Sequence, residues 1–280
     1  MTWHKELQGF VSFAHNTDTV DYLRLAYLQA LSIKATQKIN SYAVIVDTKT
    51  LAQVTDQHRS VFDYIIELPI DNNTHNHRFA NEIQVFRLTP FKETIKVESD
   101  LLFTNSVDHW WPAFRKKDIV LSHGCLNYQQ QSSHTRAYRK FFDDNYLPDV
   151  YNGLMYFRYS QTANNFFNLA RLVQDNWTEL KNSALVNCRE DKPSTDVLYA
   201  VTADLFGREN CTMPSMDFIK FVHMKSAVNG WLDGWPNAVI SEVDGTTLRI
   251  NNLNQYAPVH YQDKEFATDE LIEHYERIIK

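Results

Sequence analysis

Thr94-Ile95-Lys96-Val97-Glu98-Ser99-Asp100 is a short apolar run that ends on two carboxylates. The run predicts a buried strand, with the acids just past its end. Two carboxylates one residue apart at a strand end can point into one crevice. Hard divalent cations such as Mg²⁺ and Mn²⁺ take that kind of oxygen site, often with a substrate diphosphate completing the shell. Glu98 and Asp100 are therefore expected metal ligands, against the plainer reading of a solvated acidic turn. A third ligand is expected at His223, which ends the strand-like run Phe218-Ile219-Lys220-Phe221-Val222. If the fold brings the three together, the chain holds a metal and a nucleotide diphosphate.

Working outward, Phe10-Val11-Ser12-Phe13-Ala14 reads as a first strand. The polar stretch His15-Asn16-Thr17-Asp18-Thr19 follows and offers several N-cap residues, Asp18 foremost. Val20, Leu23, Tyr27 and Leu31 then recur at helical spacing. Tyr42-Ala43-Val44-Ile45-Val46 and Tyr64-Ile65-Ile66-Glu67-Leu68 predict two more strands. Strands alternating with helical connectors imply an α/β fold, with a mostly parallel central sheet covered on both faces. Ligands bind such sheets outside the carboxyl ends of the strands, where the loop after Ala14 and the Glu98-Ser99-Asp100 segment would both lie.

Further strands are expected at Ile119-Val120-Leu121 and Leu154-Met155-Tyr156-Phe157, followed by a helix with Phe166, Phe167, Ala170 and Val173 on one face. Residues 71–84 read as a polar loop entering a helix. Trp110-Trp111 is expected in the core with one ring exposed. The last helix is well signalled: Thr268 caps it, Asp269 and Glu270 suit its N-terminal dipole, and Leu271, Tyr275, Ile278 and Ile279 form its apolar stripe. The whole 280 residues are expected to form one domain, with a C-terminal helical extension over about 236–280.

Composition narrows the classes. With 17 Phe, 14 Tyr and 6 Trp the chain can fill a sizeable core, and 7 Gly and 8 Pro exclude a fibrous or collagen-like chain. Acids outnumber bases, 34 to 28, so no global basic field draws the protein to nucleic acid. The three cysteines, Cys125, Cys188 and Cys211, are odd in number and lack metal-type spacing, which suits reduced thiols. The N-terminus has no apolar signal core, and no apolar run approaches the roughly 20 residues of a membrane span. The expectation is a soluble, cytoplasmic protein without membrane contact.

These residues resemble the nucleotide-sugar-dependent glycosyltransferases of the GT-A fold, especially the retaining, glycogenin-like and galactosyltransferase-like group, over roughly residues 9–235. That family ends a strand in an Asp-x-Asp triplet that binds Mn²⁺ or Mg²⁺; Glu98-Ser99-Asp100 stands there, with Glu for the first Asp. Its strand motif with Asn and Gly is matched by Tyr151-Asn152-Gly153-Leu154, and its acceptor-side Asp by Asp196 in Ser194-Thr195-Asp196-Val197-Leu198. Its His-x-x-Gly-x-x-Lys-Pro-Trp is matched by His223-Met224-Lys225-Ser226-Ala227-Val228-Asn229-Gly230-Trp231, which keeps the His and the Trp and loses the Gly, Lys and Pro. Lys225 is a substitute phosphate cation.

The resemblance implies a metal-dependent transferase that moves a sugar from a nucleotide-diphosphate sugar, of UDP type, to a hydroxyl acceptor. It implies catalytic roles for Asp196 and Asn152. Donor contacts would come from Ala14, His15, Asn16, Asp47, Lys92, Ser99, Lys225 and Trp231, and metal ligation from Glu98, Asp100 and His223. Asp196 could equally be only the cap of its helix. A non-catalytic nucleotide-sugar-binding protein on the same fold is the competing class.

The chain also resembles glycosyltransferases encoded by tailed bacteriophages, through Leu88-Thr89-Pro90-Phe91-Lys92-Glu93-Thr94 and Phe221-Val222-His223-Met224-Lys225. That likeness implies hydroxymethylcytosine in phage DNA as acceptor and the host cytoplasm as location. Arg115, Lys116, Lys117, Arg136, Arg139 and Lys140, set against the one acid Asp118, would supply the DNA contacts. A solvated basic face is the plainer reading of that stretch. A surface glycan or a protein is the alternative acceptor.

Overall fold

Alternation of side chains across each strand divides the apolar residues of the first two strands between two cores. Phe10, Ala14, Tyr42, Val44 and Val46 face one, while Val11, Ala43 and Ile45 face the other. The computed structural model describes residues 6–69, 78–134, 139–213 and 219–280. In it β1 (Glu6–Ala14), β2 (Tyr42–Val46), β3 (Tyr64–Glu67) and β4 (Phe91–Val97) run parallel. β5 (Leu101–Leu102) follows the acidic triplet. Next come β6 (Ile119–His123), β7 (Cys125–Leu126), β8 (Ser132–Ser133) and β9 (Val150–Arg158). β9 lies antiparallel between β4 and β6 and completes a six-stranded sheet of order β3-β2-β1-β4-β9-β6.

The helix Tyr22–Thr36 covers one face, with Leu28, Ala30, Leu31 and Ile33 buried in the core that also holds Ile95 and Val97. The helices Gln161–Asp175 and Thr195–Phe206 cover the other, where Phe166, Phe167, Val197 and Leu198 pack. Each buried Leu, Ile, Val or Phe side chain among them contributes about 1.5–3 kcal/mol of transfer free energy.

The remaining strands are β10 (Val222–His223), β11 (Ser241–Asp244), β12 (Thr247–Ile250), β13 (Leu253–Asn254) and β14 (Val259–His260). A second sheet has the order β5-β14-β10-β7-β8, and β11-β12-β13 form a third. The second sheet positions the site. β14 pairs antiparallel with β5, placing His260 opposite Leu101, and parallel with β10, placing it beside His223.

Several expectations need correction. The region 236–280 is not a helical extension. Within it only Trp235–Ala238 and Asp269–Ile279 are α-helical, and Ser241–Asn254 is a small antiparallel sheet. Asp244-Gly245 is a hairpin signal, and Gly245 takes a φ of +56° in the two-residue loop between Asp244 and Thr247. Trp110 and Trp111 are both buried; Trp111 stands edge-on to Phe10 and Tyr156. The run expected over Phe218–Val222 is strand only at Val222–His223, and 214–218 lie outside the described residues. Of the loop expected over 71–84, residues 78–84 form a 3₁₀ turn, and 71–77 lie outside the described residues. Asp21, not Asp18, caps the first helix by accepting from the Arg24 N–H, while Asp18 pairs with Lys49. Thr268 caps the last helix as expected, accepting from the Leu271 N–H. Among the described residues no helix is long and apolar enough to cross a membrane.

Candidate functional site

The acidic turn is held by buried polar contacts. The carboxamide nitrogen of Gln29, fully buried on the first helix, donates to the carbonyls of Glu98 and Leu101, while Tyr42 Oη–H donates to Gln29 Oε1 at 2.8 Å. The Glu98 N–H reaches Gly153 O at 3.0 Å, and the Tyr261 N–H reaches Asp100 O at 3.2 Å. A Cβ on Gly153 would lie 2.7 Å from the Tyr151 ring and 3.5 Å from Glu98 Oε2. That close approach requires glycine beside the first carboxylate.

Pairing of β14 with β5 brings His260 over this turn. Its Nε2 lies 3.2 Å from Glu98 Oε2 and 3.0 Å from Asp100 Oδ2. One ligand-type atom from each of Glu98, Asp100 and His260 lies within 4.8 Å of the others. Adjacent ligands of an octahedral ion bound at about 2.1 Å are about 3.0 Å apart, so the two spacings fit such a shell. Two carboxylates with one imidazole also suit a Mn²⁺-like ion by donor type. Lys264 Nζ donates to Asp100 Oδ2.

The charges settle unequally. Burial pushes the Glu98 carboxyl up to about 7, with His260 opposing and Asp100 adding to the rise. Burial alone would raise Asp100 as well, but His260 and Lys264 outweigh it and hold that carboxyl well below its ordinary value. The two carboxylates raise His260 against its own burial. His223 stands directly behind. The two imidazoles are stacked with centroids 4.9 Å apart, and their Nδ1 atoms are 2.9 Å apart. Burial, then the charge of His260, push His223 well below its ordinary value.

A cleft of about 560 Å³ opens over the triad, lined also by His15, Tyr22, Lys96, Tyr151, Gln262 and Lys264. A polar chain runs inward from its wall, where Glu82 and Lys96 line it. Lys96 Nζ pairs with Glu82 Oε2 at 2.6 Å and donates to Asn152 O at 3.2 Å, and Asn152 Nδ2 donates to the same Glu82 oxygen at 2.6 Å. Asp196 Oδ1 accepts from the Asn152 N–H at 2.6 Å, and its Oδ2 faces Arg139 Nη1 at 3.0 Å. Burial raises the Asp196 carboxyl, and Arg139 opposes this. Asp196 sits in the first turn of its helix, behind the N-cap Ser194.

Of the residues expected to form the site, Glu98, Ser99, Asp100 and His15 line one cleft. Ala14 ends β1 and is buried just before them. His223 is displaced from the triad by His260, because the two strands are in register and β14 is the one beside β5. Asn16 is spent on its own loop, with its side chain bonded to Asp21, Gln53 and the Leu23 N–H. Asp47 caps the short helix Thr48–Leu51 through the Thr50 N–H at 2.7 Å. Lys92 is exposed near the start of β4, at the opposite end of the strand from Glu98. Lys225 is half-buried close to Arg139 and Asp196. Trp231 packs on Tyr128, centroids 5.2 Å apart, and does not line the cleft.

The expected basic surface is divided. Arg115 pairs with Glu93, and Lys117 donates to Glu209 O, beside the start of β6. Arg139 is half-buried near β9's first residue, with Asp149, Asp196 and the Phe142 ring around it. Since Ile119 pairs with Phe157 and His123 with Val150, the two groups sit at opposite ends of the sheet. Lys116 and Lys140 are exposed, and Arg136 lies outside the described residues.

Sequence reasoning missed His260, Lys264, Glu82 and Lys96, and put Arg139 on the surface. Lys96 carried a signal: a charge inside a buried strand is rare unless paired. His260 carried none, since its strand is two residues long and follows Pro258.

No protein-family model matches the chain, and no curated protein matches it. Solved structures do. The galactosyltransferase LgtC, in complex with donor and acceptor sugar analogs, aligns with a TM-score of 0.52 at 12% identity, covering 97% of this chain and 95% of LgtC. The bifunctional glycosyltransferase WbbM in its apo form gives a TM-score of 0.50 at 12% identity, over 83% of this chain and 42% of WbbM. Mouse xyloside xylosyltransferase 1, also apo, gives 0.47 at 9% identity, over 74% and 84%. The likeness to phage-encoded enzymes finds no support among these structures. At such identities the likeness is one of fold: the chain has the mixed α/β, mostly parallel GT-A fold of nucleotide-sugar transferases.

Proposed function

We propose that this chain is a metal-dependent glycosyltransferase that moves a sugar from a nucleotide-diphosphate sugar, of UDP type, to a hydroxyl acceptor. The observation that carries the reading is the convergence of Glu98, Asp100 and His260 in a cleft at the sheet edge of a GT-A fold. Those three residues would hold Mn²⁺ or Mg²⁺. A bound ion supplies neutralisation of the charge that develops on the leaving diphosphate. Lys264 adds a fixed positive charge at the same edge, and the Gln29 clamp keeps the acidic turn from rearranging. Asp196 acts by holding the Asn152 backbone and Arg139 against the cleft wall. Retention of configuration is the outcome implied by the glycogenin-like resemblance.

A saccharide or protein hydroxyl suits these observations better than a DNA base. Arg115, Lys117 and Arg139 are engaged in intramolecular contacts, and LgtC was crystallised with an acceptor sugar analog. The test is calorimetry of UDP and UDP-hexoses with Mn²⁺, paired with a mass-spectrometric transfer and hydrolysis assay. Asp100→Asn is expected to abolish Mn²⁺-dependent donor binding, and unchanged affinity in that variant removes the metal reading. Tight binding with neither hydrolysis nor transfer on a broad acceptor panel leaves the non-catalytic binder.

A further inference from the structure

The wall of the cleft contains a charged pair that metal ligation and phosphate binding do not use. Lys96 is buried on β4, and Glu82 lies in the 3₁₀ turn Arg78–Gln84. Both line the cleft. Burying an ammonium and a carboxylate is costly, and an apolar pair of similar volume would usually serve the fold as well. Their hydrogen bonds are also incomplete. Glu82 Oε2 accepts from both Lys96 and Asn152, whereas Glu82 Oε1 has no partner among the described residues. Lys96 has two of its three N–H groups engaged. Asn152 must turn its NH₂ toward the carboxylate, which can only accept, so its Oδ1 faces away, buried and without a partner.

Lys96 lies on β4 and Glu98 just past its end; both side chains line the cleft, and two residues of extended chain span about 7 Å. The pair is therefore one such step from the metal-type triad.

We infer that Glu82 and Lys96 form a subsite that reads two neighbouring hydroxyls of the donor sugar. One hydroxyl donates to Glu82 Oε1, and its neighbour accepts from Lys96 Nζ. The ligand class is a hexose carrying a vicinal diol, and the inference rests on the nucleotide-sugar reading above.

The experiment uses the full chain with Mn²⁺ and calorimetry. The probes are UDP and GDP, their glucose conjugates, and UDP-glucose analogues lacking one hydroxyl at a time. Wild type is expected to lose about 10- to 100-fold in affinity for analogues lacking either of two adjacent hydroxyls, the scale of a hydrogen bond to a charged group. Glu82→Gln is expected to keep nucleoside-diphosphate affinity within about twofold, to lose hexose-conjugate affinity by a similar 10- to 100-fold, and to stop distinguishing those analogues. Equal loss of both probes in Glu82→Gln, or unchanged hexose binding, overturns the subsite. So does a wild type indifferent to every missing hydroxyl, a result that does not depend on the variant folding. A wild type that binds neither diphosphate nor conjugate overturns the underlying glycosyltransferase reading instead.

Discussion

β4 and β14 bring the triad together from two kinds of sheet. β4 is seven residues long, buried between parallel β1 and antiparallel β9, and it delivers Glu98 and Asp100 from its carboxyl end. β14 is two residues long and belongs to a sheet assembled from distant pieces of the chain, yet it delivers His260. The first region is over-determined by its core. In the second, position depends on a few backbone pairings and on the contacts that His260 itself makes. Functional geometry here joins a scaffold that tolerates change to one that does not.

The largest expected effect comes from separating the two histidines. His260→Gln is expected to weaken Mn²⁺ binding by more than about 100-fold. His223→Gln, which removes only the group behind it, is expected to cost about 10-fold, as for residues that orient a ligand. Titration calorimetry of both variants measures the difference. If the order were reversed, His223 would be the ligand and the register of β10 and β14 would be misassigned.

Next is the wall against β9. Asp196→Asn keeps the size of the side chain but leaves Arg139 facing a neutral group there, while Asp149 stays at 3.6 Å. Turnover is expected to fall by up to about 100-fold through misplacement of the Asn152 segment, with the melting temperature lowered by a few degrees. Rates within a few-fold of wild type would reduce Asp196 to an ordinary helix residue.

The smallest expected effect is a pH dependence of stability in metal-free protein. An ordinary glutamate loses its proton near 4.5, whereas folded Glu98 keeps it to about 7. Between those values the folded chain binds more protons than the unfolded one, so stability falls as pH rises. His260 works in the same direction. Its raised value contributes stability below its ordinary 6.5 that is lost as pH climbs through the folded value. Asp100 is opposite in sign, but its contribution is lost only in strong acid, below this window. His223, held well below its ordinary 6.5 by burial and by His260, has the opposite sign below about pH 6.5, so the Glu98 effect is read as a difference. Relative to Glu98→Gln, wild type should lose a few degrees of melting temperature between about pH 5 and 7. A wild type whose melting temperature rises relative to Glu98→Gln over this range would contradict the assignment.

The same contrast explains what could be read from the chain alone. β1 and β2 announce themselves through nearly continuous, mostly buried apolar runs over residues 10–14 and 42–46. β3 does so through residues 64–66, although it is only half-buried at the sheet edge, and β4 through its buried end, residues 94–97. The acidic pair was legible because it follows such a run directly. His260 was not, since two residues after a proline carry no period, and only the pairing of β14 with β5 gives them a place. The basic stretch was misread for a related reason. Charge spacing along the sequence is blind to the antiparallel return of β9, which separates Arg115 from Arg139 and sets the latter against Asp196. Glu82 lies in a short 3₁₀ turn, and its role depends on Lys96 and Asn152, both remote in sequence.

Asp100 and Lys264 are bonded across a sequence separation of 164 residues. In kinetic terms that is a late contact, because the entropy of closing so long a loop is lost before the bond forms. The acidic turn, pinned by Gln29 and Gly153, is expected to take shape with the local sheet while still hydrated and lacking its imidazole. Selectivity for an ion would then be acquired in the last step of folding. Detachment of β14 would be the first step of its loss, discharging the ion while the six-stranded sheet is still intact.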